Sequence, residues 1–325
     1  AAAPGADVRP AWTSLVERWL PVVLFPLMLL DTAAQALAKP LWFDELITYS
    51  LARLPDLGSL WAALLAAADA QPPMTHLLMR ASMAVFGAGE LAARLPNLLG
   101  FALMSVALYA VVRRRQGGLY ALCGVLFAWV SLSYEYAYEG RPYGLMLGFG
   151  ACAYLFWQIA SEEGRPAWAV PGLAGSLMLA VSSHYYAGLL LAPLALGELV
   201  RTKAMRRLDW PVWAAFAAGG ATLAAYAPFL LAIRENFQGG YWRGVGWDDI
   251  IVYYFSLLQT AALPVVAAFV VGGIVKSRYR TDSAPAQAGL GGLPRHESAA
   301  ALAIAMLPVA YVALSIYTTG GFTSR

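Results

Sequence analysis

The chain has 325 residues, of which 60% are hydrophobic and only 13% charged, with a net charge of +3. That is too little polar surface for a soluble protein of this length, and composition alone predicts an integral membrane protein. Lys and Arg fall in short clusters between apolar runs instead of forming a stripe or tail, which argues against nucleic acid as a partner.

Apolar runs long enough to cross a hydrocarbon core of about 30 Å lie at residues 19–38, 95–112, 118–134, 143–160, 167–183, 186–200, 211–233, 250–275 and 299–318. They predict an all-α, polytopic membrane helical bundle of about nine spans. The first run also fits a secretion signal, because Ala36-Leu37-Ala38 supplies a small-residue cleavage site. On either reading residue 39 emerges on the outer side.

Residues 39–94 form the longest loop. Within it 46–54 and 60–70 are helix-compatible, Gln71-Pro72-Pro73 is a break, and 74–86 make a further short helix. The stretch after the prolines carries His76 and Arg80 and is too short and too polar to span. These segments are therefore expected as juxtamembrane helices, with Trp42 and Trp61 as interfacial anchors. With nine spans starting inside, 14 of the 22 Lys and Arg face the cytoplasm, as the positive-inside rule requires. The same topology places residues 39–94, 134–143, 184–186 and 234–249 together on the outer face. Residues 281–294 read as a flexible cytoplasmic loop. Cys123 and Cys152 have no metal-type spacing and read as small buried residues.

Two acid clusters on this face, one at 41–50 and one at 134–143, stand out, because carboxylates are expensive near a bilayer and mark functional sites. Asp44 and Glu45 are adjacent, so on a helix they diverge by about 100° and only one points squarely into a site. Asp44 is the better candidate; a helix cap at Asp44 is the structural alternative. Glu135 and Glu139 are four apart and share a face if the chain stays helical there. Their repulsion would be relieved by a cation or by Arg141, unless Glu139 and Arg141 form an ordinary surface pair. Pro142 suits the first turn of the next helix, placing Arg141 near an N-terminus that favours an anion such as a lipid-linked phosphate. His184, with Tyr185 and Tyr186, marks another outer junction, and either binds substrate or acts as an interfacial hydrogen-bonding residue. Tyr241, Trp242, Arg243 and Trp247 fit either a sugar or headgroup subsite or an aromatic belt.

In order and spacing, Phe43-Asp44-Glu45, Gln71-Pro72-Pro73 leading to Phe86-Gly87, Ala93-Arg94-Leu95-Pro96, Tyr138-Glu139-Gly140-Arg141-Pro142-Tyr143 and His184-Tyr185 resemble the GT-C membrane glycosyltransferases. The resemblance is to the dolichyl-phosphate-mannose protein mannosyltransferase-like group that includes the aminoarabinose transferases. It implies a single membrane domain over 1–325 that moves a sugar from a polyprenyl-phosphate donor to a lipid, glycan or protein acceptor at the outer face of a bacterial inner or plasma membrane, with inversion. It implies Asp44 as general base, Glu139 as a second acid, and Arg141 and Tyr143 beside the donor phosphate. Glu45, Glu135, His184 and Tyr185 are expected to line the substrate, and a divalent metal ion between Asp44 and Glu139 is a possible cofactor. Two departures stand out: Gln71 replaces the Lys that aminoarabinose transferases carry beside the Pro, and the chain stops at 320–325 where relatives continue, which predicts a truncated sequence. The rival reading is a transporter or flippase of lipid-linked sugars, which should carry ionisable groups at midspan in broken helices; a noncatalytic scaffold gives no reason for acids on two loops.

Overall fold

A computed structural model describes residues 11–236, 246–259 and 292–318. The regular elements among the described residues are helices: α1 (Ala11–Ala38), α2 (Phe43–Ala52), α3 (Leu57–Leu65), α4 (Pro73–Phe86), α5 (Glu90–Gln116), α6 (Gly118–Val130), α7 (Tyr143–Ala160), α8 (Ala169–Ser183), α9 (Leu191–Met205), α10 (Trp210–Ala225), α11 (Ala227–Asn236), α12 (Asp248–Leu258), α13 (Arg295–Ala305) and α14 (Leu307–Thr318). Two 3-10 helices, Leu132–Tyr138 and Tyr185–Leu190, join α6 to α7 and α8 to α9.

Three helical segments are long and apolar enough to cross a membrane, Arg18–Ala38, Glu90–Gln116 and Tyr143–Ala160. Three bent pairs meet the same test together: α6 with Leu132–Tyr138, α10 with α11, and α13 with the start of α14. The predicted run at 250–275 and the 281–294 loop lie wholly or largely outside the described residues.

Helix α5 is the centre of the bundle and packs on α1, α4, α6 and α7. Its crossing with α7 is close because Gly100 faces Gly144 and Gly148: a Cβ built at any of them runs into the other helix's backbone. Small residues at such a crossing let backbones approach, which is how helices gain packing energy in lipid. On the far side of α7, Trp157, Leu173, Leu177, Leu194, Val212 and Phe216 form a shared core with α8, α9 and α10.

The short helices between α1 and α5 fall where the Pro-Pro break and the apolar spacing place them. They do not continue the bundle. Leu51, Leu60 and Leu64 pack on Tyr185 and Phe229, and Ala52 packs with Met79, Met83, Ala92 and Ala93. Trp61 lies edge-on to Phe229 with centroids 4.9 Å apart. Helices α2, α3 and α4 thus cap one end of the bundle.

The opposite end is tied by ion pairs. Arg115 meets Glu297 at 2.5 Å, Gln158 donates to the same carboxylate at 3.0 Å, and Glu198 takes Arg201 and the Trp157 indole N–H. Asp209 joins Arg201 to Arg165. Between the two ends, α5, α7 and α13 line a half-open cavity of about 700 Å³, apolar along Met104, Leu108, Tyr154 and Ile304. Tyr186 lines it, and Arg115, Gln158 and Glu297 supply its polar groups.

Candidate active site

Helix α2 begins after Trp42, and its first turn holds Asp44 and Glu45, where carboxylates suit the exposed backbone N–H groups. Asp44 is therefore not the cap considered from sequence; it is the second residue of the helix, within its first turn. The Trp42 N–H donates to Glu45 Oε2 at 3.1 Å, and Glu45 also accepts the Gly140 N–H at 2.5 Å on Oε1. Arg94 Nε and Nη2 complete the set at 2.8 and 2.7 Å.

Arg94 is 0% exposed, as is Glu45. Its remaining N–H groups go to the backbone carbonyls of Ala36, Lys39 and Pro40, so all five donors of the guanidinium are used. Burial pushes the Glu45 carboxyl up, but the Arg94, Gly140 and Trp42 hydrogen bonds outweigh it and hold the group below its ordinary value. Glu45, expected as a substrate contact, is enclosed by these partners. It works as a clasp joining the end of α1, α2, α5 and the Glu139-Gly140-Arg141 loop. A side chain at Gly140 would meet Glu45 Oε1 at 3.2 Å and Met79 Cε at 3.3 Å, which explains glycine there.

The second acid pair does not share a face. After Ser131 the chain bends by 76° and tightens to a 3-10 helix over Leu132–Tyr138, where about three residues complete a turn and a spacing of four drifts off the face. Glu135 is exposed and Glu139, in extended backbone, is buried. The cation beside Glu139 is Lys39, at 3.3 Å, with its ammonium also over the Tyr138 ring. Burial raises the Glu139 carboxyl above the ordinary range, and Lys39 opposes that rise.

Arg141 turns elsewhere. Its Nη1 donates to the Thr48 hydroxyl at 2.9 Å, the Asp44 backbone carbonyl at 3.1 Å and Asp69 Oδ2 at 3.4 Å. Its Nε–H is buried without a partner among the described residues. The Glu139/Arg141 surface pair is thus absent, and Arg141 is 7% exposed. Asp69 Oδ2 also receives Thr48 Oγ1 at 3.0 Å and His76 Nε2 at 3.2 Å. Burial raises the Asp69 carboxyl, but His76, Arg141 and Thr48 bring it below its ordinary value.

His184 closes this wall. It is buried, its Nδ1 accepts the Tyr186 N–H at 3.1 Å, and its ring stacks on Tyr143 with centroids 5.6 Å apart. Burial first, then the nearby Arg141 charge, lower its pKa to about 4, so the ring is neutral near pH 7. Tyr136 packs on Tyr143 at 4.7 Å, and Tyr186 on His184 at 4.9 Å, so an aromatic row runs from the acid loop to the large cavity. Tyr185 is buried in the core under α3, with its hydroxyl unpaired among the described residues. Residues 241–243 lie outside the described residues, and Trp247 is exposed at the start of α12.

Sequence reading did not single out Lys39, Thr48, Asp69 and His76 as site residues. Asp69, three residues before the first proline, is the one with a visible signal: an acid beside a chain break. Among the described residues no three His, Cys, Asp or Glu side chains converge as metal ligands. Glu139, one of the two acids expected to share an ion, has the Lys39 ammonium as its partner.

The fold and these clustered charges define a polytopic helical membrane protein with a buried acid and guanidinium site under short capping helices. The family model for dolichyl-phosphate-mannose-protein mannosyltransferase matches residues 70–232, half of the chain, and the chain belongs to that family. Two solved structures share its fold: ArnT from Cupriavidus metallidurans bound to undecaprenyl phosphate (TM-score 0.58, 18% identity, 94% of this chain and 57% of that one) and the same protein in the apo state (TM-score 0.59, 17% identity, 93% and 56%). The chain thus spans little more than half the length of those structures. No curated protein matches it.

Proposed function

We propose that this chain is an integral membrane glycosyltransferase that moves a sugar from a polyprenyl-phosphate donor to an acceptor at the outer face of the membrane. One observation carries the reading: Arg141 is buried against the Asp44 backbone, yet keeps an Nε–H without a partner among the described residues. A buried donor left unpaired costs about 1–3 kcal/mol, and a phosphate oxygen is the acceptor that a guanidinium suits best. ArnT, the solved relative in fold, holds undecaprenyl phosphate. The apolar cavity reached through Tyr186 and His184 gives an isoprenoid tail a place to lie.

The chemistry needs one base and a stabilised leaving group. The acceptor oxygen attacks the anomeric carbon while Asp44 takes its proton, and the sugar's bond to phosphate breaks with the electron pair leaving on the phosphate. A phosphate leaves without protonation, so a cation fixed beside it replaces the acid that glycoside hydrolysis requires. Arg141 supplies that charge, and Lys39 with Glu139 borders the acceptor side. Gln71, buried and uncharged where aminoarabinose transferases carry Lys, leaves Arg141 as the principal phosphate contact and points away from an aminoarabinose donor.

The test is transfer from a panel of radiolabelled polyprenyl-phosphate sugars, wild type against Asp44→Asn. Transfer by the wild type that disappears in the variant supports the reading. Passage of the lipid-linked sugar across vesicles without transfer would establish the flippase instead.

A further inference from the structure

Asp69 is assigned no role by the reaction above, although three donors converge on it. One oxygen, Oδ2, receives Thr48 Oγ1 at 3.0 Å, His76 Nε2 at 3.2 Å and Arg141 Nη1 at 3.4 Å. His76 is 0% exposed and Thr48 likewise, so this is a closed arrangement and not a surface pair. An ionised carboxylate only accepts hydrogen bonds, so the proton on the His76 edge sits on Nε2. His76 and Thr48 come from different helices, α4 and α2, and Arg141 from the loop before α7. Three separate pieces of chain therefore meet on a single carboxylate oxygen.

The geometry has a directional consequence. Arg141 Nη1 is held by Asp69, Thr48 and the Asp44 carbonyl, all through the same nitrogen. The Nε edge is left without a partner among the described residues. An Arg anchored at one nitrogen presents its other donors in a fixed fork, and less conformational freedom is lost when a phosphate binds. A carboxylate this close would also be expected to weaken anion binding by partly neutralising the guanidinium. The two effects of Asp69 on phosphate affinity have opposite sign, and the closed, three-donor geometry favours orientation.

We infer that Asp69, braced by His76 and Thr48, is a positioning residue that aims Arg141 at the phosphate of the lipid donor. This rests on the reading of Arg141 as the phosphate contact. It assigns the Pro-Pro turn and the start of α4 a part in donor recognition.

The experiment compares binding of undecaprenyl phosphate and undecaprenol to the purified full chain in detergent, taking the ratio of the two affinities as phosphate preference. The wild type should prefer the phosphate, and Arg141→Gln should lower that preference about tenfold or more, the size of a lost charge-assisted hydrogen bond. Asp69→Asn should lower it comparably, and the double variant should be no worse than Arg141→Gln alone, the non-additivity of two residues acting through one contact. An increased preference in Asp69→Asn would show that Asp69 merely neutralises Arg141 and would overturn the inference. Equal weakening of both ligands, which a general structural role would give, would overturn it too. Where Asp69→Asn does not fold, His76→Phe should reduce the preference and His76→Gln, which retains a donor, should restore it; indifference to both overturns the proposal. A wild type without phosphate preference would instead remove the reading of Arg141 itself, and this inference with it.

Discussion

Asp44 carries the proton transfer in the proposed reaction, and its neighbours fix where it sits without taking its place. Its backbone carbonyl accepts from Arg141 Nη1 at 3.1 Å, so the residue is held through the main chain. Asp44→Asn is expected to lower transfer by about 100-fold or more, the scale of a general base, with helical content by circular dichroism unchanged. Lys39 makes a prediction whose sign follows from the site. Glu139 is raised by burial and lowered by Lys39; removing the ammonium in Lys39→Met raises Glu139 further. If ionised Glu139 is needed, the acidic limb of the pH-rate profile moves to higher pH in the variant. A limb that stays in place or moves down would separate Glu139 from turnover. Chelation by EDTA should leave transfer unchanged, because Lys39 already provides the cation beside Glu139.

Among elements, the clasp of Glu45, Arg94 and Gly140 decides whether the two acid loops meet. Arg94 reaches from α5 to the carbonyls that end α1, and Glu45 hands the connection to the second loop. Breaking a buried pair on one side leaves the other charge stranded, at a cost of about 3–5 kcal/mol. Arg94→Ala should therefore lower the unfolding midpoint in detergent and abolish transfer together. Gly140→Ala tests the same docking more gently. Its Cβ needs Glu45 Oε1 and Met79 Cε to give by a few tenths of an ångström, so activity should fall further than stability. An active, normally stable Gly140→Ala would show that the loops have slack.

For the molecule as a whole, the two ends are built differently. One end carries Glu45 and Asp69, buried and held below their ordinary pKa, the other a set of interhelical ion pairs. The linkage is plain for Glu45 and Asp69, whose ordinary values are 4.5 and 3.8. A carboxyl lowered on folding contributes stability that is present above its unfolded pKa and is lost as pH falls through its folded one. Stability in detergent should hold from neutral pH to about 4.5 on account of these two groups, then decline below it. Asp69→Asn should flatten part of that decline. A wild-type midpoint that rises as pH falls below 4 would contradict the ionised pairing of both acids.

The apolar runs, the Pro-Pro break and the Arg clusters were enough to read a polytopic bundle with short helices between α1 and α5, because hydropathy and helix breakers act locally and leave their mark on consecutive residues. Asp44, Glu139 and Arg141 were legible as candidates for a related reason: a charge in an apolar chain has to be accounted for. Their partners were not. Spacing suggested Glu135 with Glu139 and Glu139 with Arg141, but the 76° bend and the 3-10 turn rotated Glu135 away. Lys39 and Asp69 reached the acid loop from about 100 and 72 residues distant. Such pairings depend on how α2, α4 and α5 dock on the bundle, which no local pattern encodes. Composition and order along the chain mark which residues are costly in a membrane protein, whereas who neutralises whom follows from the docking of the helices, because a buried charge is settled by whatever the fold brings within about 4 Å of it.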